Sequence, residues 1–399
     1  MRPFTTAVVL AATTTALSAQ TGKQFVRPPA GQTPPYSLAV KAGGVIYTAG
    51  QLPTDASGNV VSGDITVQAK QVFDNLRGVL QQAGSSLDNA VSANVMLQNA
   101  SDFAALDQVY RGQFKGEPPA RTTFIGSMVR PGALLEIQVT AVPNGAERKP
   151  ILPPGWTKPT SPYSYAIQSG DTLWMSGLVS RSGANNTQVQ GDIAVQTKTI
   201  MDNAGAILKA AGMSYGDLVA GRVALRDMAN FQPMNDVYRT YWEKDRPARV
   251  SCQAAPPGTF DVEITFTAIK GSSAREAIIP PRPDGTPGQA GPNFSPAIKV
   301  GNRLFISGGT GATAANATDM KAQTTETLMR FGPALKAAGF DYKDIVAADV
   351  FVTDVQKFND MNEGYRPLFA VDPPVRATVG IGKLAGQNAL VEIMVTAVK

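Results

Sequence analysis

Pro119-Ala120-Arg121, followed after a loop by Leu134-Leu135-Glu136-Ile137, is the stretch that decides the fold, because it occurs three times. The second copy reads Pro247-Ala248-Arg249 with Val262-Glu263-Ile264, and the third Pro374-Val375-Arg376 with Val391-Glu392-Ile393. The arginines lie 128 residues (249 − 121) and 127 residues (376 − 249) apart. That spacing is the length of a small domain and far exceeds a solenoid repeat. The chain is three copies of one unit.

Each glutamate sits in strand-like alternation: Leu135, Ile137, Val139 and Ala141 fall on one face, Glu136, Gln138 and Thr140 on the other. Arg121 opens the preceding β-rich stretch, and a hairpin pairing of the two strands would bring guanidinium and carboxylate onto one face. A planar, permanently charged fork suits a carboxylate ligand, which it grips with two parallel hydrogen bonds. A structural cross-strand salt bridge accounts for the pair equally simply.

Around this signature the first unit, Tyr36 to about Val142, reads β, α, β, α, β, β. Val45 to Gly50 is a strand ending at glycine. Asp64 caps a helix whose stripe is Ala69, Phe73, Leu76, Leu80 and Ala83, and Gly84 ends it. Val91 to Leu97 is strand-like, and Ser101 caps a second helix through Tyr110 and Phe114. Gln68, Gln196 and Gln323 open matching helices that end at Gly84, Gly212 and Gly339, and Tyr110, Tyr238 and Tyr365 recur in the second helix. The fold class is α+β, one mixed sheet per unit with both helices on one face. The other face carries Glu136, Thr140, Glu263, Thr267, Glu392 and Thr396 but also Met394, so it is neither a solvent surface nor a core. Proline-rich linkers, 144–161 and 271–293, act as stiff extended spacers. Three such units can close their uncovered faces into a pseudo-threefold ring, a monomer with ligand sites at its seams.

Composition removes several chemistries. At 399 residues the chain exceeds one compact core and fits three. A net charge of +5 with no basic run argues against nucleic acid as the partner. Histidine is absent and Cys252 is the only cysteine, which excludes Ser-His-Asp and Cys-His catalysis, an intrachain disulfide and a His- or Cys-built metal site. No metal or organic cofactor is expected.

Arg2, the apolar run Ala7 to Ala12 and the small residues Ala16, Ser18 and Ala19 read as a signal peptide over residues 1–19, and no other stretch approaches a membrane span. The mature protein is therefore expected to be periplasmic or secreted. The divisions expected are 20–143, 144–270 and 271–399, the last two each a linker plus a unit.

These motifs resemble the RidA family, also called YjgF/YER057c/UK114. The resemblance covers nearly the whole mature chain and rests on Pro35-Tyr36 and Pro162-Tyr163, Ser176-Gly177 and Ser307-Gly308, the Gln-to-Gly helix, Pro-Ala-Arg and Val-Glu-Ile. It implies a chorismate-mutase-like fold that the family assembles as a homotrimer with sites between subunits. It implies hydrolysis of 2-imino or enamine acids to 2-keto acids and ammonia, with arginine holding the substrate carboxylate and glutamate placing the water. An aromatic residue, a serine and an asparagine line the family pocket. Carried over unit by unit, the second set is complete: Tyr163, Ser176, Asn235, Arg249 and Glu263. The third has Ser307, Asn362, Arg376 and Glu392, with Phe294 in place of tyrosine. The first has Tyr36, Arg121 and Glu136, with Ala49 for serine and Asp107 for asparagine, which marks it as the most degenerate.

The expected activity is that of a 2-iminobutanoate/2-iminopropanoate deaminase, in which Arg249 and Arg376 fix the carboxylate while Glu263 or Glu392 holds the water. The alternative is a non-catalytic binder of small carboxylates using the arginines alone. An endoribonuclease, a reading attached to some relatives, is disfavoured by the dispersed charge and missing histidine. Trp174, Trp242 and the methionines read as core. Cys252 is either near the cleft or a small buried hydrophobe.

Overall fold

The computed structural model describes residues 22–29, 31–271, 274–282 and 284–399, so the expected signal peptide lies outside the described residues. Unit 1 comprises β1 (Gln24–Val26), β2 (Ala39–Ala42), β3 (Val45–Thr48), α1 (Ile65–Gln82), β4 (Ala90–Leu97), α2 (Phe103–Arg111), β5 (Ala120–Ile125), β6 (Ser127–Met128) and β7 (Leu135–Ala141). Unit 2 comprises β8 (Lys149–Ile151), β9 (Ala166–Ser169), β10 (Thr172–Met175), α3 (Ile193–Ala210), β11 (Leu218–Leu225), α4 (Phe231–Tyr238), β12 (Ala248–Gln253) and β13 (Val262–Ile269). Unit 3 comprises β14 (Arg275–Ile278), β15 (Ala297–Val300), β16 (Arg303–Gly309), α5 (Met320–Met329), α6 (Gly332–Ala338), β17 (Ile345–Val352), α7 (Phe358–Tyr365), β18 (Val375–Gly380) and β19 (Val391–Val398).

The three sheets share one strand order: β1-β2-β3-β7-β4-β5, β8-β9-β10-β13-β11-β12 and β14-β15-β16-β19-β17-β18. The arginine and glutamate strands do not form the expected hairpin. Because α2 lies between β4 and β5, the chain returns parallel to β4, and β7 then pairs antiparallel on the other side of β4. A parallel pair needs such a crossover, so the helix dictates the edge position of Arg121. The same holds for Arg249 on β12 and Arg376 on β18.

Helix α1 forms where expected. Val67 N donates to Asp64 Oδ1 at 3.0 Å, the stripe of Ala69, Val72, Phe73, Leu76 and Leu80 is buried, and Gly84 takes the left-handed φ of 77° that ends the helix. Three local expectations fail. Ser101 lies inside the turn Ala100–Asp102 and does not cap α2, whose N-cap is Asp102. The long helix of unit 3 is split into α5 and α6, because Pro333 has no N–H to donate and is tolerated only in a first turn. The linkers do more than space the units: β1, β8 and β14 each add an outer strand antiparallel to β2, β9 and β15. Pro150 fits there, since an edge strand has one side without ladder bonds.

Each unit buries its helices against its own sheet in a separate core. The opposite faces meet each other. Met96, Phe124, Val250, Ile298, Phe351 and Val379 join one apolar cluster drawn from all three units. Every arginine-bearing edge strand is extended by the next unit: Ile125 bridges Ala255, Cys252 bridges Leu384, and Val379 on β18 pairs with Met128 on β6. Contacts thus run from unit 1 to 2, from 2 to 3 and from 3 back to 1, and the ring leaves no arginine edge open.

Where the sheets meet lies a cavity of about 130 Å³ lined by all three units, among them Asn94 of β4, Arg222 of β11 and Asp349 of β17. Arg222 Nη1 donates to Asn94 Oδ1 at 2.8 Å, and Nη2 pairs with Asp349. Three identical charges at such an axis would repel; divergence of the units has put an amide, a cation and an anion there instead. Arg222→Ala leaves Asp349 partly buried and unpaired, and should lower the free energy of unfolding by about 1–3 kcal/mol. A shift of the urea midpoint checks this; an unchanged midpoint would show the triad to be idle.

Candidate functional site

The second helix of each unit supplies one wall. Phe231, Asn235 and Tyr238 on α4 are four and then three residues apart and share a face, as do Phe358, Asn362 and Tyr365 on α7 and Phe103, Asp107 and Tyr110 on α2. That face surrounds the guanidinium of the same unit. Tyr110, Tyr238 and Tyr365 lie 4.8, 4.7 and 4.7 Å from Arg121, Arg249 and Arg376, and the phenylalanines 5.4, 5.8 and 5.6 Å. Rings at these distances attract a cation through their quadrupole. Arg249 Nη2 donates to Asn235 Oδ1 and Arg376 Nη2 to Asn362 Oδ1, both at 2.7 Å. All three arginines are buried.

The other wall comes from the next unit around the ring. Tyr163 stands 6.0 Å from Arg121, Phe294 5.5 Å from Arg249 and Tyr36 5.4 Å from Arg376. Backbone bonds stitch each seam: Ser164 N to Pro119 O at 3.1 Å, Ser295 N to Pro247 O at 3.4 Å and Ser37 N to Pro374 O at 3.1 Å. Gly177 N donates to Arg121 O and Gly50 N to Arg376 O. A Cβ on Gly177, Gly50 or Gly308 would lie 1.7, 1.7 or 2.2 Å from the Oε1 of Glu263, Glu136 or Glu392. Only glycine lets the carboxyl fold back against this turn.

The seams therefore pair Arg121 with Glu263, Arg249 with Glu392 and Arg376 with Glu136. The residues carried over unit by unit are thereby shared out among the seams, which the sequence left unassigned. Arg249 and Glu263, both of unit 2, belong to different clefts. The departures are redistributed, one to each cleft: Asp107 to the Arg121 cleft, Phe294 to the Arg249 cleft and Ala49 to the Arg376 cleft. No cleft holds the full set, and the two departures of unit 1 fall in different sites.

Each departure has a physical effect. Asp107 Oδ1 stands 2.7 Å from Arg121 Nη1, close but off the line of a hydrogen bond, and pairs its charge. Phe294 keeps the ring and removes the hydroxyl. Ala49 packs with Val40, Val346 and Val375 in an apolar seam cluster. At the corresponding place Ser307 Oγ accepts from Arg249 N at 2.8 Å and donates to Ser295 O at 2.6 Å, so its hydroxyl knits the backbone together. Ser176 Oγ is buried without a hydrogen-bond partner among the described residues.

With this geometry in hand, the comparisons are informative. The family described as endoribonuclease L-PSP matches residues 28–143, 156–270 and 287–399. The chain belongs to that family. A RutC family protein of Sulfurisphaera tokodaii is 42% identical over 115 residues, 29% of this chain and 92% of that protein. RutC family protein PYRAB12510 of Pyrococcus abyssi is 39% identical over 27% of this chain and 85% of its own. Among solved structures, RidA from the Antarctic bacterium Psychrobacter sp. PAMC 21119 is 29% identical, covers 30% of this chain and 98% of that one, and has a TM-score of 0.29. The three family matches, one to each unit, bear out the tandem RidA-like reading of the repeated motifs.

Electrostatics in the L-PSP clefts follows from burial. Desolvation pushes Glu136, Glu263 and Glu392 up to about 8, against the pull of a backbone N–H from Thr378, Thr123 and Ser251 and of the facing arginine. Arg249 and Arg376 are pulled down by burial, opposed by the tyrosine beneath each. Tyr238 is raised to about 12 by burial. The aromatic floor of Phe103, Phe231, Phe358 and the three tyrosines was not read as part of the site. Its signal was present in the sequence, since these rings recur at one register in every unit. Cys252 is wholly buried in the apolar inter-unit cluster, and burial raises its thiol to about 12, which makes it a small hydrophobe.

Three buried carboxyls impose a pH dependence on stability. Below about 4.5 both folded and unfolded chains hold these protons; between 4.5 and 8 only the folded chain does, so stability falls as pH rises through that window. Each group contributes a slope of up to about 1.4 kcal/mol per pH unit. Denaturant titrations at pH 5 and pH 8 should show a smaller loss for the triple variant Glu136→Gln, Glu263→Gln, Glu392→Gln than for the unsubstituted chain. Equal losses would mean the carboxyls are ionised in the folded state. Gly177→Ala should open the first seam and lower the thermal midpoint by several degrees, consistent with about 1–3 kcal/mol of overpacking.

Proposed function

We propose that this chain hydrolyses small 2-imino or enamine carboxylic acids to 2-keto acids and ammonia, at the Arg249–Glu392 and Arg376–Glu136 seams. One observation carries the reading. Arg249 Nε and Nη1 are buried with no well-aligned hydrogen-bond partner among the described residues, only the Tyr238 hydroxyl interacting with the guanidinium besides Asn235, and Glu392 Oε2 across the seam is likewise buried and unpartnered. Buried polar groups of this kind are few in folded proteins and mark places where a ligand completes the bonding.

The substrate carboxylate takes the N–H groups of the guanidinium that Asn235 or Asn362, behind it, does not, displacing in the Arg376 seam the 3.8 Å contact of Nη1 with Met361 Sδ. This sets the C=N carbon near the glutamic acid, which at neutral pH carries its proton. That proton goes to the imine nitrogen as water oxygen bonds to carbon, and the carboxylate so formed takes a proton from the water. The glutamic acid then protonates the amine nitrogen of the carbinolamine, the C–N bond breaks with its electron pair leaving on ammonia, and the hydroxyl returns its proton to the glutamate as the ketone forms. An un-ionised, desolvated carboxyl is suited to both transfers.

The alternative, a binder of small carboxylates without turnover, is favoured by the missing tyrosine hydroxyl at Phe294 and the missing serine at Ala49. Two variants separate the readings. Arg249→Ala with Arg376→Ala should lower kcat/KM for freshly generated 2-iminopropanoate by roughly a hundredfold, and lysine at both positions should restore only part of it. Glu392→Gln with Glu136→Gln should lower kcat by about a hundredfold or more at little cost in KM. If the acid form is the working one, kcat falls as pH rises past about 8. Full ammonia release by the glutamine variant would end the proposal; pyruvate binding with no turnover in any variant would establish the binder.

A further inference from the structure

The Arg121 cleft differs from the other two in more than one residue. Its guanidinium is already charge-paired, because Asp107 puts a carboxylate where Asn235 and Asn362 put a neutral amide, and both side chains of the Arg121–Asp107 pair are largely buried. A ligand carboxylate arriving at Arg121 would meet that fixed anion in a medium of low dielectric, where like charges repel strongly.

A second cation stands in the same cleft. Arg181 of unit 2 lines a cavity of about 200 Å³ together with Arg121, Tyr163, Phe260 and Glu263. Four residues after the seam glycine, where unit 2 has Arg181, the other units have the uncharged Thr54 and Ala312; the Arg376 cleft has instead Arg130, which acts on Tyr36 from another loop. The guanidinium is held in advance: Nη1 donates to Asn186 O at 2.8 Å, and the group lies 5.0 Å over the Phe260 ring. Asn186 itself adopts a φ of 57°, a conformation asparagine tolerates better than most residues, and its Oδ1 is buried without a hydrogen-bond partner among the described residues. Between the two arginines the walls are the aromatic rings of Phe103, Tyr163 and Phe260. Glu263 also lines the cavity, and its Oε2 is buried and likewise without a hydrogen-bond partner among the described residues.

We propose that the cleft between units 1 and 2 binds a longer organic acid than the others, one whose carboxylate sits on Arg181, whose aromatic or alkyl body fills the ring-lined middle, and whose far end is a neutral hydrogen-bond donor such as a hydroxyl. Asp107 sets this specificity by closing the Arg121 fork to small 2-oxo and 2-imino acids. The donor end is neutral because Arg121 beside it opposes an ammonium, while the Glu263 carboxyl in the cavity wall accepts from a hydroxyl. The claim about Asp107 rests on the carboxylate reading of the other two clefts; the claim about Arg181 does not.

Calorimetry on the full chain decides it, with 4-hydroxyphenylacetate as the long acid, 4-hydroxybenzyl alcohol as its analogue without carboxylate, and pyruvate as the short acid. The expected result is one site for 4-hydroxyphenylacetate, weakened at least tenfold by Arg181→Ala and by loss of the carboxylate, and unmoved by Arg376→Ala in a distant cleft. Pyruvate is expected to fill two sites, and three once Asp107→Asn removes the fixed anion. Arg181 is half-exposed and its removal leaves the seams intact, so this arm survives even where a buried-arginine variant does not fold. Three equal pyruvate sites in the unsubstituted chain, or 4-hydroxyphenylacetate affinity indifferent to Arg181→Ala, would overturn the inference. Pyruvate binding nowhere while Arg181→Ala still weakens the long acid would remove the reading of the other clefts and leave the Arg181 site standing.

Discussion

Everything in this molecule depends on guanidinium groups that no single unit can shelter. Arg121, Arg249 and Arg376 each lie on the last strand that their own unit contributes to its sheet, and the aromatic residue, the seam glycine and the glutamate strand of the next unit help remove them from water. Burying a cation is costly unless it finds partners. Within its own unit each finds a tyrosine face and an Asn or Asp oxygen; the rest of its environment is supplied across the seam. A unit on its own would leave the arginine edge strand and an apolar sheet face exposed together, so docking completes the folding of each unit as well as forming a cleft.

Joining the units in one chain frees the seams to differ. Where identical subunits would place the same residue three times at the axis, here Asn94, Arg222 and Asp349 form a complementary set. The same freedom explains how Asp107, Phe294 and Ala49 can be tolerated singly. Each unit contributes half of two clefts, so a substitution alters one site and leaves the remaining two as they were. Asp107 and Ala49 belong to one unit yet act at opposite seams.

The repeat, the element order and the helix stripes were legible in the sequence because they depend on local periodicity: Asp64 and Gly84 bound α1 as their side chains require. Pairing was not. Whether Glu263 faces Arg249 or Arg121 is decided by how whole units dock, and residues 140 positions apart (263 − 123) leave no periodic trace when Thr123 N meets Glu263. The hairpin expected between β5 and β7 failed for a related reason, since it treated the two strands as neighbours in space because they are neighbours in the chain. Ser307 and Ser176 look equivalent as letters, but a backbone amide and carbonyl occupy one hydroxyl and not the other. The residues of the first linker gave no strand signal around Pro150, because three residues are too few for alternation to show.

The simplest account of a repeated Arg and Glu was a structural salt bridge, and the distribution of charge argues against it. Among the described residues the only ion pair made by these arginines is that of Arg121 with Asp107; none joins an arginine to the glutamate it faces. A bridge placed for stability would hold its two charges in contact and satisfy their remaining bonds. Here instead a carboxyl is kept dry enough to retain its proton, opposite a fork with N–H groups left over. That arrangement weakens the fold at each seam as pH rises. Local arrangements that lower stability persist where function needs the groups uncommitted. The Arg121 cleft shows the contrast within one chain: where a carboxylate does sit on the fork, a new guanidinium, Arg181, stands at the same cavity.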